Sequence, residues 1–354
     1  YEMEFRSLKA ICLAMAGSLL MAAGAQAAPT ADATVSINGQ GALYKEVKRP
    51  VNVTFDAKIT PGAGEVTLNP LIETRYSLPK DLAFVPDPKM PVCTQVNAGN
   101  SNFSGQTAKS LCPKSIVGDG VANILLAQQT AALITDPEIT IFNGGRDSRG
   151  GGILGIHAYS ASTNAGIFMT GAIRNGVLDV LIPRLTADSS TSSFTLSIPG
   201  SQGQDKGYAE ATCSTGSYDT SAVFTLGKRD SAGNVTDQTV LNTPPTSQGC
   251  VGNKGRAQFK RLGVKGPKKV RNGGKAKFKV TIANRGTAMA RNVRVKAFGH
   301  GKGFKKARNI AAGKRVSVWV KTKVKGRKGS RAIVKFKATA NGAKAIGKTR
   351  VRIK

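Results

Sequence analysis

From position 251 to Lys354 the chain carries 34 Lys and Arg residues and not one Asp or Glu. No cation in this stretch can find an acidic partner within it, so every one must face solvent, the rest of the chain or another molecule, and any core must come from the residues between. Those residues alternate. Phe278, Val280 and Ile282 are interleaved with Lys277, Lys279 and Thr281, and Val293 and Val295 flank Arg294 beside Lys296. Val316, Val318 and Val320 share one parity, with Lys321 and Lys323 following on the other. Val334, Phe336 and Ala338 alternate with Lys335 and Lys337, as do Val351 and Ile353 with Arg350 and Arg352. A period of two is that of a strand with one buried face. Five or more such strands, spaced by roughly 10 to 20 residues, fit a seven-strand immunoglobulin-like sandwich with a cationic exterior.

The remainder is chemically different. The net charge of +32 belongs to the basic stretch, because positions 1–250 hold 18 basic against 20 acidic residues. The expected organisation is a leader at 1–27, a first module at 28–253 and the basic module at 254–354. Arg6 and Lys9 precede an apolar run, Ala10 to Ala25, that ends in Ala25-Gln26-Ala27. That is the pattern of a cleaved export signal. The run is too short for a membrane span of about 20 residues, and no later segment approaches one. The expected setting is secreted, extracellular and open to surface association, with no transmembrane segment after cleavage.

Four cysteines follow the leader: Cys93, Cys112, Cys213 and Cys250. In an exported chain an even count argues for disulfides, and four cysteines allow three connectivities. Pairing sequence neighbours closes the shortest loops and is the expectation. Without a C-x-x-C spacing, and with His157 the single histidine before the basic module, a thiolate metal site is not expected.

Within the first module Val51, Val53 and Phe55 alternate with Asn52, Thr54 and Asp56, and Phe194, Leu196 and Ile198 with Thr195 and Ser197. Turn signals at Thr60-Pro61-Gly62, Asn143-Gly144-Gly145 and Asp230 to Asn234 separate short strands. The last reads as a hairpin loop. The tract at 122–134 is rich in helix formers and reads as one short helix, with strand a close alternative. Together these features indicate an all-β chain: a disulfide-stapled β-sandwich followed by the immunoglobulin-like one.

Motifs for catalysis or cofactors are weak. G-x-S-x-G, H-E-x-x-H and calcium-loop patterns do not occur. Gly150 to Gly155 matches G-x-G-x-x-G, but a strand-like run follows where a dinucleotide site needs a helix, so it reads as a flexible loop. Gly342 to Thr349 matches the P-loop expression, yet only Arg350 to Lys354 follow, and they alternate as a strand. His157 lies in a strand pattern and reads as a structural imidazole; His300, between glycines, reads as an exposed loop residue. No catalytic, cofactor or metal residues are assigned. Trp319 has the parity of the polar face, and covering a core edge is its expected role.

Two resemblances go beyond pattern. The run from Val280 to Val295, through Asn284, Gly286, Ala290, Asn292 and Val293, resembles the CARDB-type (cell adhesion related) bacterial domains. That resemblance implies an immunoglobulin-like fold and a spacer or binding role at a surface, although such domains are usually neutral or acidic. Cys112 to Ser115, Val117 to Gly120 and Phe142-Asn143-Gly144 resemble uncharacterised secreted actinobacterial proteins, which implies an exported β-rich domain without assigned activity.

An unneutralised cationic surface attracts polyanions and repels itself. The expected partners are anionic cell-wall or envelope polymers, with extracellular nucleic acid a non-specific alternative. The candidate contact residues are Lys277, Lys279, Arg294, Lys296, Lys321, Lys323, Lys335, Lys337, Arg350 and Arg352. The expected function is a non-enzymatic tether. The competing readings are a carbohydrate-active enzyme carrying a cationic wall anchor, and an adhesion spacer whose charge is incidental.

Overall fold

The computed structural model describes residues 28–63, 68–84, 90–94, 103–126, 132–183, 189–200, 208–230 and 234–354; the leader at 1–27 lies outside the described residues. The first module is built from β1 (Thr30–Gly39), β2 (Leu43–Tyr44), β3 (Arg49–Thr60), β4 (Leu71–Ser77), β5 (Leu82–Phe84), helix α1 (Gly105–Leu111), β6 (Ile116–Leu126), β7 (Ala132–Ile134), β8 (Glu138–Arg146) and β9 (Gly152–Ser160). It continues through β10 (Ala165–Arg174), β11 (Val177–Leu181), β12 (Ser189–Ile198), β13 (Ala209–Ala211), β14 (Ser217–Arg229), β15 (Val235–Asn242), β16 (Thr246–Gly249) and β17 (Gly252–Asn253).

One continuous sheet makes both walls of this sandwich. Its strand order is β15-β14-β4-β11-β10-β9-β8-β6-β12-β3-β13-β5, with β1 also on β3. The alternating residues of β3 do what their period predicts: Val51, Val53 and Phe55 are buried while Asn52 is exposed. Register shifts at Thr225/Leu226, Asn143/Arg146 and Thr191/Ser193 are bulges that sharpen the coiling of the sheet. The sheet curls until β1 lies beside β14 and β16. There the side chain of Gln248 stands in for a strand residue: Oε1 accepts the Ile37 N–H at 2.8 Å and Nε2 donates to the Ile37 carbonyl at 3.2 Å. A single core cluster lines the interior, with the rings of Phe55 and Phe224 edge-on to Tyr76.

Several local expectations change in this setting. The described parts of the 122–134 tract are strands and not a helix, with Ile124, Leu125 and Leu126 of β6 paired to Ile134, Leu133 and Ala132 of β7; residues 127–131 lie outside the described residues. Backbone pairing of β6 with β12 and β8 outweighs the local preference. Asn143-Gly144-Gly145 is a bulge inside β8 and not a turn, held by the Asn143 side chain, which donates to the Pro91 carbonyl and accepts from Gly145 N–H. Gly152 to Gly155 lie in β9 and not in a loop. The actual turn at 147–151 is closed by Asp147, whose Oδ1 accepts from the N–H groups of Arg149 and Gly151. β14 and β15 pair as the expected hairpin, with Asp230 Oδ1 accepting from Asn234 N–H at its base; residues 231–233 lie outside the described residues.

The disulfides join Cys93 to Cys112 and Cys213 to Cys250. The first anchors α1, which begins at Ser104, whose hydroxyl accepts from Thr107 N–H. Helix and disulfide cover Phe142 on the outer side of the sheet. His157 is fully buried in β9, opposite Thr140 and Phe168 on the neighbouring strands.

The second module contains β18 (Gly263–Lys265), β19 (Lys269–Val270), β20 (Lys275–Ala283), β21 (Arg294–Gly299), β22 (Gly301–Lys306), β23 (Arg315–Val324), β24 (Arg331–Thr339) and β25 (Lys344–Ile353). One layer is β18-β20-β23 and the other β21-β24-β25-β19. β22 crosses between them, pairing first with β23 and then with β21. The layers meet through a separate core in which Phe278 packs on Phe336, ring centroids 5.4 Å apart. This is an immunoglobulin-like sandwich without a disulfide.

Asn284 organises the loop after β20. It is fully buried, and its side chain accepts from the N–H groups of Gln258 and Gly286 and donates to the carbonyls of Ala288 and Ile310. A Cβ on Gly286 would run into the Arg256 carbonyl, so this position requires glycine. The P-loop match dissolves into structure as its context predicts: Gly342, at φ 77°, sits in a turn, and Gly347 lies in β25 where a Cβ would press on Leu262.

Candidate polyanion-binding faces

All ten candidate cations are exposed, because each has the parity opposite to the buried Val, Ile, Phe or Ala beside it. They do not form one site. Lys277, Lys279, Lys321 and Lys323 lie on the outer face of the β20–β23 layer. Arg294, Lys296, Lys335, Lys337, Arg350 and Arg352 lie on the outer face of the other layer. The core separates the two sets.

Register places like charges directly opposite one another. Lys277 faces Lys321 and Lys275 faces Lys323 on the first face. On the second, Lys296 faces Lys337, Lys335 faces Lys348, and Arg331 faces Arg352. Adjacent strands are about 4.8 Å apart and same-face residues along a strand about 6.8 Å apart, so each face is a grid of positive charge. Lys306, opposite Arg294, and Lys344, opposite Thr339, extend the second grid, as does Lys348. Lys344 and Lys348 share the parity of Arg350 and Arg352 in β25, whereas Lys306 lies in β22, which shows no alternation and carries no predicted position.

Apolar side chains interrupt the grid. Across the second face the in-register row reads Phe304, Lys296, Lys337, Ile346, and both Phe304 and Ile346 are 55% exposed. The Lys335 ammonium lies over the Phe298 ring, 6.0 Å from its centroid. Trp319 does not cover a core edge. It is 58% exposed opposite Lys279, because its neighbours Val318 and Val320 already take the inward parity. His300 is exposed in the turn between β21 and β22, as its glycine neighbours suggested.

Among the described residues, no carboxylate of the first module offsets this charge at scale. Among the described residues one ion pair reaches the basic module, Arg291 with Glu46 at 3.9 Å, and both partners are exposed. Asp81, Asp136 and Asp147 serve their own loops. Burial pushes the Asp81 carboxyl up, but hydrogen bonds from Ser214 N–H, the Ser214 hydroxyl and the Thr212 hydroxyl outweigh it and hold Asp81 below the usual carboxylate range. Asp136 is held low first by Ser162 N–H, and Asp147 first by Arg174. Each ties two chain segments together.

Fold and faces together define a two-module, all-β protein whose second module is a sandwich with two cationic exteriors. No protein-family description matches the chain, and no curated protein does. Among solved structures it is similar to red sea bream transglutaminase, at 8% identity and a TM-score of 0.24, over 91% of this chain and 31% of that one. An I-band fragment of titin gives 10% identity and a TM-score of 0.18, over 92% and 99% of the two chains. A mutant of Salmonella alpha-2-macroglobulin gives 9% and 0.22, over 91% and 32%. The chain thus spans about a third of the transglutaminase, and likenesses this distant carry no argument about function.

Proposed function

We propose that the chain is an exported, non-enzymatic protein whose basic module tethers it to anionic polymers of a cell wall or envelope. The observation that carries this reading is the facing of like charges across both outer sheets, with no acid in the module to neutralise them. Directly opposed like charges destabilise a sheet by roughly 0.2–1 kcal/mol a pair. A polymer whose anionic groups repeat every few ångströms would replace that repulsion with attraction to many groups at once. The resemblance of the Val280 to Val295 run to CARDB-type domains supports a surface role and adds no chemistry of its own.

Export is supported by the pattern at 1–27 and by the two disulfides, which belong to oxidising compartments. The exposed Trp319, Phe304 and Ile346 would pack on sugar rings or apolar substituents of the polymer. The experiment is retention of the full chain on purified cell-wall material across a salt gradient. Retention should weaken steeply with salt and fall when Lys296, Lys335, Lys337 and Lys348 are changed to Gln. Equal retention of that variant would contradict the reading.

A further inference from the structure

Inside the curled sheet of the first module the inward residues leave a cavity of about 70 Å3. Its lining is apolar apart from Thr74, Thr191 and the hydroxyl of Tyr76, and the rings of Tyr76 and Phe194 meet edge-on in its wall. A second chamber of about 100 Å3 continues from it. The two share Ile124, Pro137, Ala158 and Ile167, so they run end to end. The space exists because Ala122 and Ala158 occupy inward positions where neighbouring strands carry Ile, Leu or Phe. Ser160, Thr163 and Ser189 line the second chamber on its polar side; Ser160 and Ser189 are buried and Thr163 is exposed, so the chamber meets solvent at Thr163.

Protein interiors are close-packed, and apolar walls held this far apart forgo contacts that packing would supply. Water does not settle in a site with so few polar partners. The closed sheet is therefore shaped to hold something long, narrow and aliphatic, as the mouths and interiors of small barrels hold ligands. The rim adds a charge rule. Ser160 donates to Asp136 Oδ1, and Ser162 N–H to Oδ2, so an ionised carboxylate sits beside the opening. An anionic head group would be repelled there, whereas hydroxyls at the rim suit an uncharged one.

We propose that this cavity binds the hydrocarbon chain of an uncharged amphiphile, of the long-chain alcohol or monoacylglycerol type, with its head at Ser160, Thr163 and Ser189.

The probe is N-phenyl-1-naphthylamine with the full chain, displaced by a series of linear alcohols. Saturable fluorescence should appear, and each added methylene should tighten displacement by about fourfold until the chambers are filled. Dodecanoate should compete at least about tenfold more weakly than dodecanol. Ala158→Phe, which plugs the junction of the two chambers, should abolish binding while raising or preserving Tm. If that variant does not fold, a titration of methyl-labelled wild type decides: the Met169 methyl in the cavity wall should shift with dodecanol while Met289 on the basic module stays still. Absence of saturable binding, no dependence on chain length, unchanged binding in Ala158→Phe, or an unmoved Met169 would each overturn the site. Equal affinity for dodecanoate would overturn the head-group rule.

Discussion

Lys296 and Lys337 face each other directly across β21 and β24, with Phe304 and Ile346 as the next residues in the same row and no acid within the module to separate them. A sheet built only for stability would place an opposite charge at one of these positions. Lys337→Glu should therefore stabilise the basic module by about 0.2–1 kcal/mol at low salt, an effect that shrinks as salt rises. The same change should weaken retention on an anionic polymer. Paired thermal melts and retention assays check both halves, and a variant losing stability along with binding would argue against this account.

Asn284 saturates four backbone groups from three separate segments of the module. Asn284→Ala would leave the N–H groups of Gln258 and Gly286 and two carbonyls short of partners. The cost should be about 2–4 kcal/mol, read from denaturant unfolding of the basic module. Asn284→Asp should be no better, since it loses both donors.

The disulfide between Cys213 and Cys250 closes a loop of sequence separation 37, and that between Cys93 and Cys112 one of 19. Loop-closure entropy assigns each about 3–4 kcal/mol. Removing the first pair should lower the stability of the whole first module, because Cys213 is part of its central core. Removing the second should mainly loosen α1 and the cover over Phe142. Hydrogen exchange of the two double Ser variants distinguishes a global effect from a local one.

Asp81 titrates lower in the folded chain than in the unfolded one. Its contribution to stability is therefore complete above the unfolded carboxylate value near 3.9 and is lost as pH falls through the lower folded value. Asp81→Asn should remove about 1–3 kcal/mol at neutral pH and flatten the acid limb of the first module's stability profile. Chemical unfolding at a series of pH values between 2 and 7 checks the sign.

Much of the basic module was legible because its long strands β20, β21, β23, β24 and β25 alternate, and parity alone assigns Lys277, Lys296 or Arg352 to the outside. Parity could not say that the ten cations divide between two faces, since that depends on which strands share a layer. Trp319 has outward parity, opposite to Val318 and Val320, and it follows that parity to 58% exposure without covering a core edge. In the first module, β6 carries helix-forming residues and is a strand because β8 and β12 pair with it on either side. The closure of the sheet through Gln248 and Ile37 joins positions 211 residues apart. No local pattern encodes a contact at that distance.

The central claim concerns charge density on a folded surface, and its most direct measurement is the salt dependence of binding by the full chain to a linear polyphosphate. The logarithm of the binding constant should fall linearly with the logarithm of salt concentration, with a slope set by the number of phosphates neutralised. Lys→Gln changes at Lys296, Lys335, Lys337 and Lys348 should reduce that slope by several units with the fold intact. A shallow slope in the wild type, or a slope unchanged in the variant, would contradict the account.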